Sequence, residues 1–558
     1  MGRFNLIDSP WIKVIVDAKG RTELVSLLDL IENAADYKQF GGDMKIQDFA
    51  VMRFVLAILH TVYSRFNSDD EIYEYLELDD KLRPINNVDD YEEEYNDDLM
   101  DTWLDLWESK QFSSIVKGYL MTWYDYFYLY DDEFPLFQIT DEDLEKFELN
   151  KKSPSVLQGK ILDRTISESG NKVALLSSKV DAEKNIMTHD EIARWLLLFQ
   201  GCIGTFDKVI FGTEKYKASK GWLYDLGGIA FNGENIFKTL MLNLVLVHPR
   251  EEYRTKHQTP SWEYSGAENV KQRMNHHPIE NLAQLYTIWG RAIQIDSSHE
   301  EDQDFKFSIV KLPDINHQNQ FLEPMTVWRH NKSGENKDTF TPKKHMIDQS
   351  LWRSFGLIFP DDENSDEYKR PILLDYLYEY TEQNLDGETI GVESFSMIDD
   401  GNATSWMPSD EYYDQVRLHD YILFDSQGET SWINRINDEV GMTNQAINRI
   451  LRTYFNQILE IRNMKNTPLV NKWISETYYD IDYLFRNWLN SIQKGDAKNI
   501  KVQEWRQELY REMIYQANQT LKSASHRDFK GIESDKKMIN IATAYNTFVY
   551  WLKQTLKV

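Results

Sequence analysis

The stretch INRILRTYFNQIL, residues 447–459, carries apolar side chains at the spacing of one face of an α-helix. The apolar positions follow one another at i, i+3, i+4, i+7, i+8, i+11 and i+12: Ile447, Ile450, Leu451, Tyr454, Phe455, Ile458 and Leu459. Arg449 and Arg452 fall outside this stripe. The pattern predicts an amphipathic helix that buries one face and leaves its arginines on the other.

The same periodicity recurs through the rest of the C-terminal region. Further helices are predicted around Ile481–Ile492, Val502–Leu521 and Ile539–Leu552, and helix is expected from Asp410 onward. Long amphipathic helices with short connections pack as antiparallel neighbours. We therefore expect a four-helix bundle domain over residues 409–558.

The chain before this bundle mixes strand and helix patterns. Short strands are predicted within Phe4–Val16, pairing with Thr22–Val25, and further strands over Leu285–Ile295 and Ile390–Ile398. Gln47–Val62 is apolar around most of its circumference and predicts a buried helix. The fold class expected is α+β: a large mixed N-terminal domain, residues 1–408, followed by the bundle.

Length and composition limit the class of protein. The 558 residues exceed the size of a single core, and 41% hydrophobic residues exclude global disorder. Apolar runs such as Phe54–Leu59 are far shorter than the roughly 20 residues of a membrane span. Since the N-terminus has no apolar signal region, we expect a soluble, cytoplasmic protein without a membrane partner.

Charge is distributed unevenly along the chain. The formal net charge is -29, and Asp69–Asn150 holds 26 acidic against 5 basic residues. Gly441–Val558 holds 18 basic against 11 acidic residues, a net of +7. A solvated acidic face is the favoured interpretation of the first region. The basic surplus of the second is compatible with a polyanionic partner.

The segment Gly212–Trp222 places three lysines, two glycines and two aromatic residues within eleven positions. Glycine lets a backbone approach a large ligand, and lysine is a common phosphate contact. A nucleic-acid contact is one interpretation of this segment. A glycine-punctuated surface turn with solvated lysines is the other, and composition alone favours the turn.

Motifs of enzyme chemistry are absent from the sequence. It contains no phosphate-binding G-x-x-x-x-G-K-[ST], no H-E-x-x-H, no C-x-x-C and no G-x-S-x-G. The single cysteine, Cys202, excludes an internal disulfide and a multi-cysteine zinc site, and we expect it to be a buried thiol. The sequence thus favours a non-catalytic binding subunit that needs no cofactor or metal.

Five segments, in this order, resemble the CasA family, the large subunit of the type I-E CRISPR surveillance complex called Cascade. They are Phe4–Ile12, Gly221–Gly228, Leu240–Leu244, Thr259–Glu263 and Glu323–Arg329, followed by the helical region. The resemblance implies a subunit that recognises the protospacer-adjacent motif of double-stranded target DNA and helps to start strand separation. The implied partners are the other Cascade subunits, the CRISPR guide RNA, the target DNA and a nuclease-helicase that the subunit recruits.

The resemblance also implies positions for the contacts. The DNA-motif loop would be Gly212–Gly221, with contacts from Gly212, Lys215, Lys217, Ser219, Lys220 and Gly221. A further basic contact would come from Arg329 or Lys332. The contact loop for the complex and the guide RNA would lie in 167–179, at Ser169, Asn171, Lys172 and Lys179.

The strand-separating wedge would lie in the turn after a late strand, at Gly401, Asn402, Ala403 and Thr404. The family's wedge is a glutamine, so Asn402 is a departure, and Ala403 and Thr404 remain candidates for the equivalent place. Some members of the family carry zinc-binding cysteines, which this chain lacks.

Two other functions stay open on the sequence. An acid-rich hydrolase acting on a polymer would need two carboxylates roughly 5 to 9.5 Å apart in a cleft. A pure assembly scaffold would tolerate changes in both the lysine loop and the wedge.

Overall fold

The computed structural model describes residues 2–166, 178–360, 366–381, 384–385, 387–402, 404–426, 428, 430–464, 467–534 and 537–558. The strands are β1 (Arg3–Asn5), β2 (Ile12–Ile15), β3 (Thr22–Val25), β4 (Gln39–Phe40), β5 (Tyr128–Tyr130), β6 (Ser155–Gln158), β7 (Gly228–Asn232), β8 (Arg291–Ile295), β9 (Lys306–Lys311), β10 (Trp328–His330), β11 (Phe340–Pro342), β12 (Tyr368–Lys369), β13 (Thr389–Asp399), β14 (Pro408–His419), β15 (Ile532–Ser534) and β16 (Lys537–Ile539).

The helices are α1 (Leu27–Glu32), α2 (Lys45–Tyr63), α3 (Glu92–Ser109), α4 (Ile115–Thr122), α5 (Asp141–Leu144), α6 (Gly159–Leu162), α7 (His189–Gly201), α8 (Ile236–Asn243), α9 (Gly266–Met274), α10 (Leu282–Tyr286), α11 (Phe355–Ile358), α12 (Ile372–Tyr376), α13 (Asp420–Leu423), α14 (Trp432–Gln445), α15 (Arg452–Ile461), α16 (Thr467–Asn490), α17 (Lys498–Lys522), α18 (His526–Lys530) and α19 (Ile541–Leu556). A π-helical segment, Ala446–Leu451, joins α14 to α15.

The chain divides into two compact units. The mixed unit comprises Met1–His345, Asp366–Leu385 and Ile390–Gln415, and the helical unit comprises Met346–Ser365, Asp386–Thr389 and Val416–Val558. Helix and sheet are both present, which confirms the mixed fold class. The predicted domain boundary at 408/409 and the antiparallel four-helix arrangement stay predictions.

The strands of the mixed unit form small sheets of two or three strands. Their strand orders are β3-β2-β4, β1-β5, β6-β9-β8, β14-β13-β7 and β11-β10-β12. The predicted pairing of the second N-terminal strand with Thr22–Val25 is confirmed, with Ile12 opposite Val25. The first strand pairs with β5 instead.

Helix α2 forms the centre of the mixed unit, as the sequence predicts. Its residues from Ile46 to Tyr63 are all buried, and it packs against α4, α7, α8 and α10. Among the described residues it is the one helix long and apolar enough to cross a membrane, but the qualifying window is entirely inside the protein. Its hydropathy therefore reflects its place in the core.

Two sequence expectations are wrong in detail. The helix expected from Asp410 onward is a strand, β14, which pairs with β13, and the first long helix after it begins at Trp432. Strand character predicted over Leu285–Ile295 holds only for β8, because Leu285 belongs to α10. Pairing with β13 makes β14 a strand despite its local helical pattern. Leu285 has no strand partner among the described residues and lies in a helix despite its local strand pattern.

Apolar stripes bury the long helices of the helical unit against one another. Helix α15 contacts α16 and α19, and α17 contacts α14, α16 and α19. Ile458, Ile481 and Trp505 are fully buried, as the helical periodicity predicts.

Candidate nucleic-acid interface

Two glycines with positive φ delimit the lysine loop, Gly212–Gly221. Gly212 has φ of 69° and faces open space, whereas Gly221 has φ of 85° and packs on the end of α7. A Cβ at Gly221 would lie 2.3 Å from the Gly201 carbonyl oxygen, so only glycine fits there. Both ends of the loop are thus anchored, Gly221 on α7 and Gly212 by its N–H, which donates to the Glu148 carbonyl at 2.7 Å. The stretch between them is exposed at Thr213, Glu214 and Lys215.

The three lysines of the loop differ in how far neighbouring carboxylates neutralise them. Lys220 Nζ lies 2.7 Å from Asp225 Oδ2. Lys217 Nζ lies 2.8 Å from Asp314 Oδ2, and the hydrogen bond to this carboxylate raises the pKa of Lys217. Lys215 is exposed and has neither a hydrogen bond nor an ion pair from its side chain within the described residues. The unneutralised charge of the loop is therefore at Lys215.

Ser219 holds the loop in place from inside the protein. It is fully buried, and its Oγ accepts the Gly221 N–H at 2.9 Å. Its backbone N–H donates to Leu312 O at 3.0 Å, and its carbonyl accepts from Arg291 Nη1 at 2.6 Å. The predicted contact residue Ser219 consequently presents no side-chain atom to a ligand.

The candidate wedge lies at the tip of the β13–β14 hairpin. Asn402 Oδ1 accepts from the backbone N–H of Thr404 at 3.1 Å and from its hydroxyl at 2.8 Å. Asp400 Oδ1 accepts the Asn402 N–H at 3.0 Å. Gly401, Asn402 and Thr404 are exposed, and Ala403 lies outside the described residues. The tip is small, polar and braced by its own side chains.

The structure brings the lysine loop and the hairpin together. The Thr205 N–H, between α7 and the loop, donates to the Ser405 carbonyl at 2.6 Å. Lys220 Nζ lies 5.5 Å from the centre of the Trp406 ring. Two segments chosen separately in the sequence thus form one surface.

Lys344 joins this surface, although no sequence pattern distinguishes it from other surface lysines. Its Nζ donates to the Met397 carbonyl of β13 at 2.9 Å and lies 3.9 Å from Asp399 Oδ2. It also lies 4.3 Å from the ring centre of Tyr224, and Lys220 Nζ lies 4.4 Å from the same centre. One tyrosine ring therefore contacts a lysine from the loop and a lysine that holds the hairpin.

Two lysines and two carboxylates form a cluster beside the Tyr224 ring: Lys220 pairs with Asp225, and Lys344 with Asp399. Opposite charges therefore nearly balance in this cluster. Burial raises the pKa of Asp225, but Lys220, His317 and Lys344 outweigh this effect and hold the pKa below its usual value. Burial also lowers the pKa of the Lys344 ammonium. A phosphate that approaches Lys220 must compete with Asp225. Lys215 has no carboxylate ion-pair partner among the described residues, and the nearest carboxylate in sequence, Glu214, is exposed to solvent.

Of the two other predicted basic residues, Arg329 lies within β10 and Lys332 follows it. Arg329 is exposed and donates to Asn331 Oδ1 at 3.3 Å, while Lys332 forms an exposed ion pair with Glu367. Burial, and then the charge of Arg329, lower the pKa of Lys343, the chain neighbour of Lys344. Arg329 thus lies near enough to Lys343 for their charges to repel, and Lys332 is occupied by a carboxylate.

The predicted guide-contact loop is described only at its end. Ser169, Asn171 and Lys172 lie outside the described residues. Lys179 is 17% exposed, with Nζ 2.7 Å from Glu191 Oε2 and donating to Ile186 O at 2.7 Å. In this arrangement Lys179 stabilises the start of α7.

Cys202 is buried, as expected, and burial raises its pKa to about 12, so the thiol is uncharged at neutral pH. The described residues contain no group of three or more His, Cys, Asp or Glu side chains that could hold a metal ion.

A sequence profile of the family described as CRISPR-associated protein Cse1 matches residues 5–515. The chain belongs to the Cse1 (CasA) family.

Relatives of known sequence and structure agree with membership of the Cse1 family. The chain is 22% identical over 299 residues to the CRISPR-associated protein CasA/Cse1 of Thermus thermophilus, a match covering 52% of this chain and 49% of that protein. The matched part thus spans about half the length of that curated relative.

Solved Cse1 structures share the fold over the whole chain. Cse1 of Thermobifida fusca has a TM-score of 0.75 at 20% identity, covering 100% of this chain and 98% of the other. Cse1 of Acidimicrobium ferrooxidans has a TM-score of 0.73 at 20% identity, covering 100% and 99%. A chain of a structure described as a CRISPR RNA-guided surveillance complex has a TM-score of 0.66 at 13% identity, covering 100% of both. The resemblance to the CasA family found in the sequence is confirmed.

Proposed function

We propose that this chain is the subunit of an RNA-guided surveillance complex that recognises the protospacer-adjacent motif in double-stranded DNA and helps to open the duplex. The observation that carries the proposal is the single surface built from the lysine loop and the β13–β14 hairpin. Membership of the Cse1 family supports it, as does the likeness in fold to a chain of a surveillance complex. The other Cascade subunits and the guide RNA are the proposed partners.

The two halves of the surface suit two tasks. Lys215 is exposed and has no ion pair among the described residues, so this part of the loop can contact phosphates and set the register on the duplex. The small polar tip at Asn402 can enter the minor groove, whose base-edge pattern is degenerate and favours recognition by shape. Separating a base step costs a few kcal/mol, which backbone contacts of the loop would offset.

The proposed role is non-catalytic, and cleavage is assigned to a recruited nuclease-helicase. The acidic segment, on which the hydrolase alternative depends, includes α3, where Asp101, Asp105 and Glu108 are exposed. Carboxylates spread along a solvated helix face keep the protein soluble and repel DNA at long range. Recognition then needs a local site, and we expect the isolated chain to bind duplex weakly.

The test uses the reconstituted complex with Lys215→Ala or Asn402→Ala. Lys215→Ala should weaken binding of motif-containing duplex about 3- to 10-fold and lower the salt slope by about 1. Asn402→Ala should bind nearly as well but open the duplex more slowly, measured by fluorescence of 2-aminopurine beside the motif.

Lys19→Ala is the matched control, because Lys19 is also an exposed lysine, here beside Gly20 with φ of 79° and open space around it. It should match the wild type in both assays. If both site variants also match the wild type, the surface is not the contact. If a complex assembled without this chain still opens motif-containing duplex normally, the proposed function itself is wrong.

A further inference from the structure

A groove of about 290 Å³ lies within the helical unit, between α19 and the helix that runs from the end of α14 into α15. One wall is a row of residues spaced four apart, as side chains on one helix face are. This row consists of Gln445, Arg449, Thr453 and Gln457. This wall of the groove is polar rather than aliphatic.

The facing wall comes from α19 and has the same spacing. Its members are Thr547, Trp551 and Thr555. The buried rings of Tyr454 and Phe548 form the floor, with centres 5.1 Å apart. No carboxylate lines the groove within the described residues.

A π-helical segment shapes the first wall. Arg449 and Ile450 belong to Ala446–Leu451, the π-helical segment between α14 and α15. Such segments are rare and often occur at functional sites, because the wider turn redirects side chains at the expense of regular hydrogen bonding. Here the π-helical segment supplies Arg449, the cationic side chain of the groove wall.

Two large side chains of the groove are exposed, and the ring of one of them, Trp551, has an aromatic neighbour in Tyr550, whose ring centre lies 5.3 Å away. Trp551 is 55% exposed although it belongs to a well-packed helix. Arg449 is exposed and its guanidinium has no hydrogen bond or ion pair within the described part of the chain. A flat aromatic face beside an unpaired guanidinium is the pair of groups that binds single strands, through base stacking and phosphate contact.

We propose that this groove binds a single-stranded DNA segment. A base stacks on the Trp551 indole, Arg449 holds an adjacent phosphate, and the side-chain amides of Gln445 and Gln457 face the base edges. The net charge of +7 over Gly441–Val558 complements a polyanion, although the whole chain is at -29. A duplex offers no free base face, and an amphipathic peptide helix would require an aliphatic wall.

The choice of DNA over RNA rests on the proposed function, since opening a duplex releases an unpaired DNA strand. The groove chemistry itself does not depend on that function. An oligothymidylate has neither a second strand nor an adjacent motif, so its binding tests the groove independently of motif recognition.

The experiment measures fluorescence anisotropy of a labelled oligothymidylate of about 12 nucleotides with the full chain at low salt. Trp551→Ala should weaken binding about 5- to 100-fold, and Trp551→Phe should restore part of it. Arg449→Ala should weaken binding several-fold and reduce its salt dependence. Tyr483→Ala is the matched control, because Tyr483 is an aromatic residue 69% exposed on α16 of the same unit and does not line the groove.

Far-ultraviolet circular dichroism and thermal melting establish that each variant is folded. Wild-type affinity in folded Trp551→Ala would overturn the proposal, as would equal losses in Trp551→Ala and Tyr483→Ala. Oligouridylate bound as tightly as oligothymidylate, or more tightly, would overturn the choice of DNA. Saturable binding of an amphipathic peptide that displaces the oligonucleotide, and is itself lost in Trp551→Ala, would assign the groove to a protein partner instead.

Discussion

The cores of the two units are built from different interactions. In the mixed unit, buried ion pairs lie among the apolar side chains: Arg53 with Glu323 at 2.7 Å, Arg65 with Glu263 at 2.9 Å and Arg291 with Asp207 at 3.2 Å. In the helical unit, Glu439 and Asp528 are also buried in ion pairs, but their partners Arg506 and Arg462 stay 12% and 21% exposed. Aliphatic and aromatic stripes dominate the core there, with Phe485 and Trp505 rings 5.0 Å apart.

This difference reflects how each unit selects which of its elements pack together. Long helices select their neighbours by a repeating apolar stripe, which the local sequence carries. Short strands and loops have no such repeat, and Arg53 and Glu323 are 270 residues apart in sequence. A buried ion pair adds little net stability, but it penalises any arrangement in which one charge is left unpaired.

The largest effect is expected from leaving a charge unpaired in the mixed unit. Glu323→Ala removes the partner of Arg53 and the acceptor of the Trp222 Nε1–H, a bond of 2.6 Å. It should lower the free energy of unfolding by about 3–5 kcal/mol, measured by urea denaturation.

Glu300→Ala is the control for this variant, because its ion pair with Arg3 is exposed, and it should cost less than about 1 kcal/mol. The double variant Arg53→Met, Glu323→Leu should recover part of the loss, because it leaves no buried charge unpaired but still lacks the acceptor of the Trp222 Nε1–H. A loss below 1 kcal/mol in Glu323→Ala would mean that the pair does not select this arrangement.

In the helical unit, the largest loss of stability should come from a substitution that leaves a cavity in the apolar core. Ile458→Ala removes a fully buried side chain of α15 and should cost about 3 kcal/mol. Ile500→Ala, at a position 62% exposed on α17, should be nearly neutral. Equal stability of the two variants in thermal and urea unfolding would show that the predicted stripe does not hold the unit together.

Acid should distinguish the units as well. Burial lowers the pKa of His60 to about 3 and the pKa values of His248 and His345 to about 4, and all three belong to the mixed unit. Below about pH 6.5 the unfolded chain binds protons that these folded histidines do not, so the free energy of unfolding falls as the pH drops toward 4. Each histidine should contribute about 2 kcal/mol of this loss at pH 5.

Hydrogen-exchange protection factors at pH 7 and pH 5, corrected for intrinsic exchange, would check this prediction peptide by peptide. Protection should fall more in the mixed unit than in α14–α19. An equal fall in both units would contradict it.

The sequence alone determined the features that depend on local pattern. These features are the apolar stripe of residues 447–459, the buried helix α2 and the hairpin strand over Ile390–Ile398. Each can be predicted from the sequence because residues close together in the chain form its pattern. The five resembling segments likewise indicated the Cse1 family. The expected helix from Asp410 failed because β14 is stabilised by pairing with β13, a partner that local propensity does not encode.

Only the tertiary structure decided which side chains meet. It placed the hairpin against the lysine loop, brought Lys344 to the ring that Lys220 contacts, and turned Ser219 inward while Lys215 stayed free. It also aligned Arg449, predicted merely to lie off the apolar stripe, with Trp551 across a groove. Contacts between residues far apart in sequence depend on how whole elements pack, because a buried charge or ring is stabilised only by the neighbours that packing supplies.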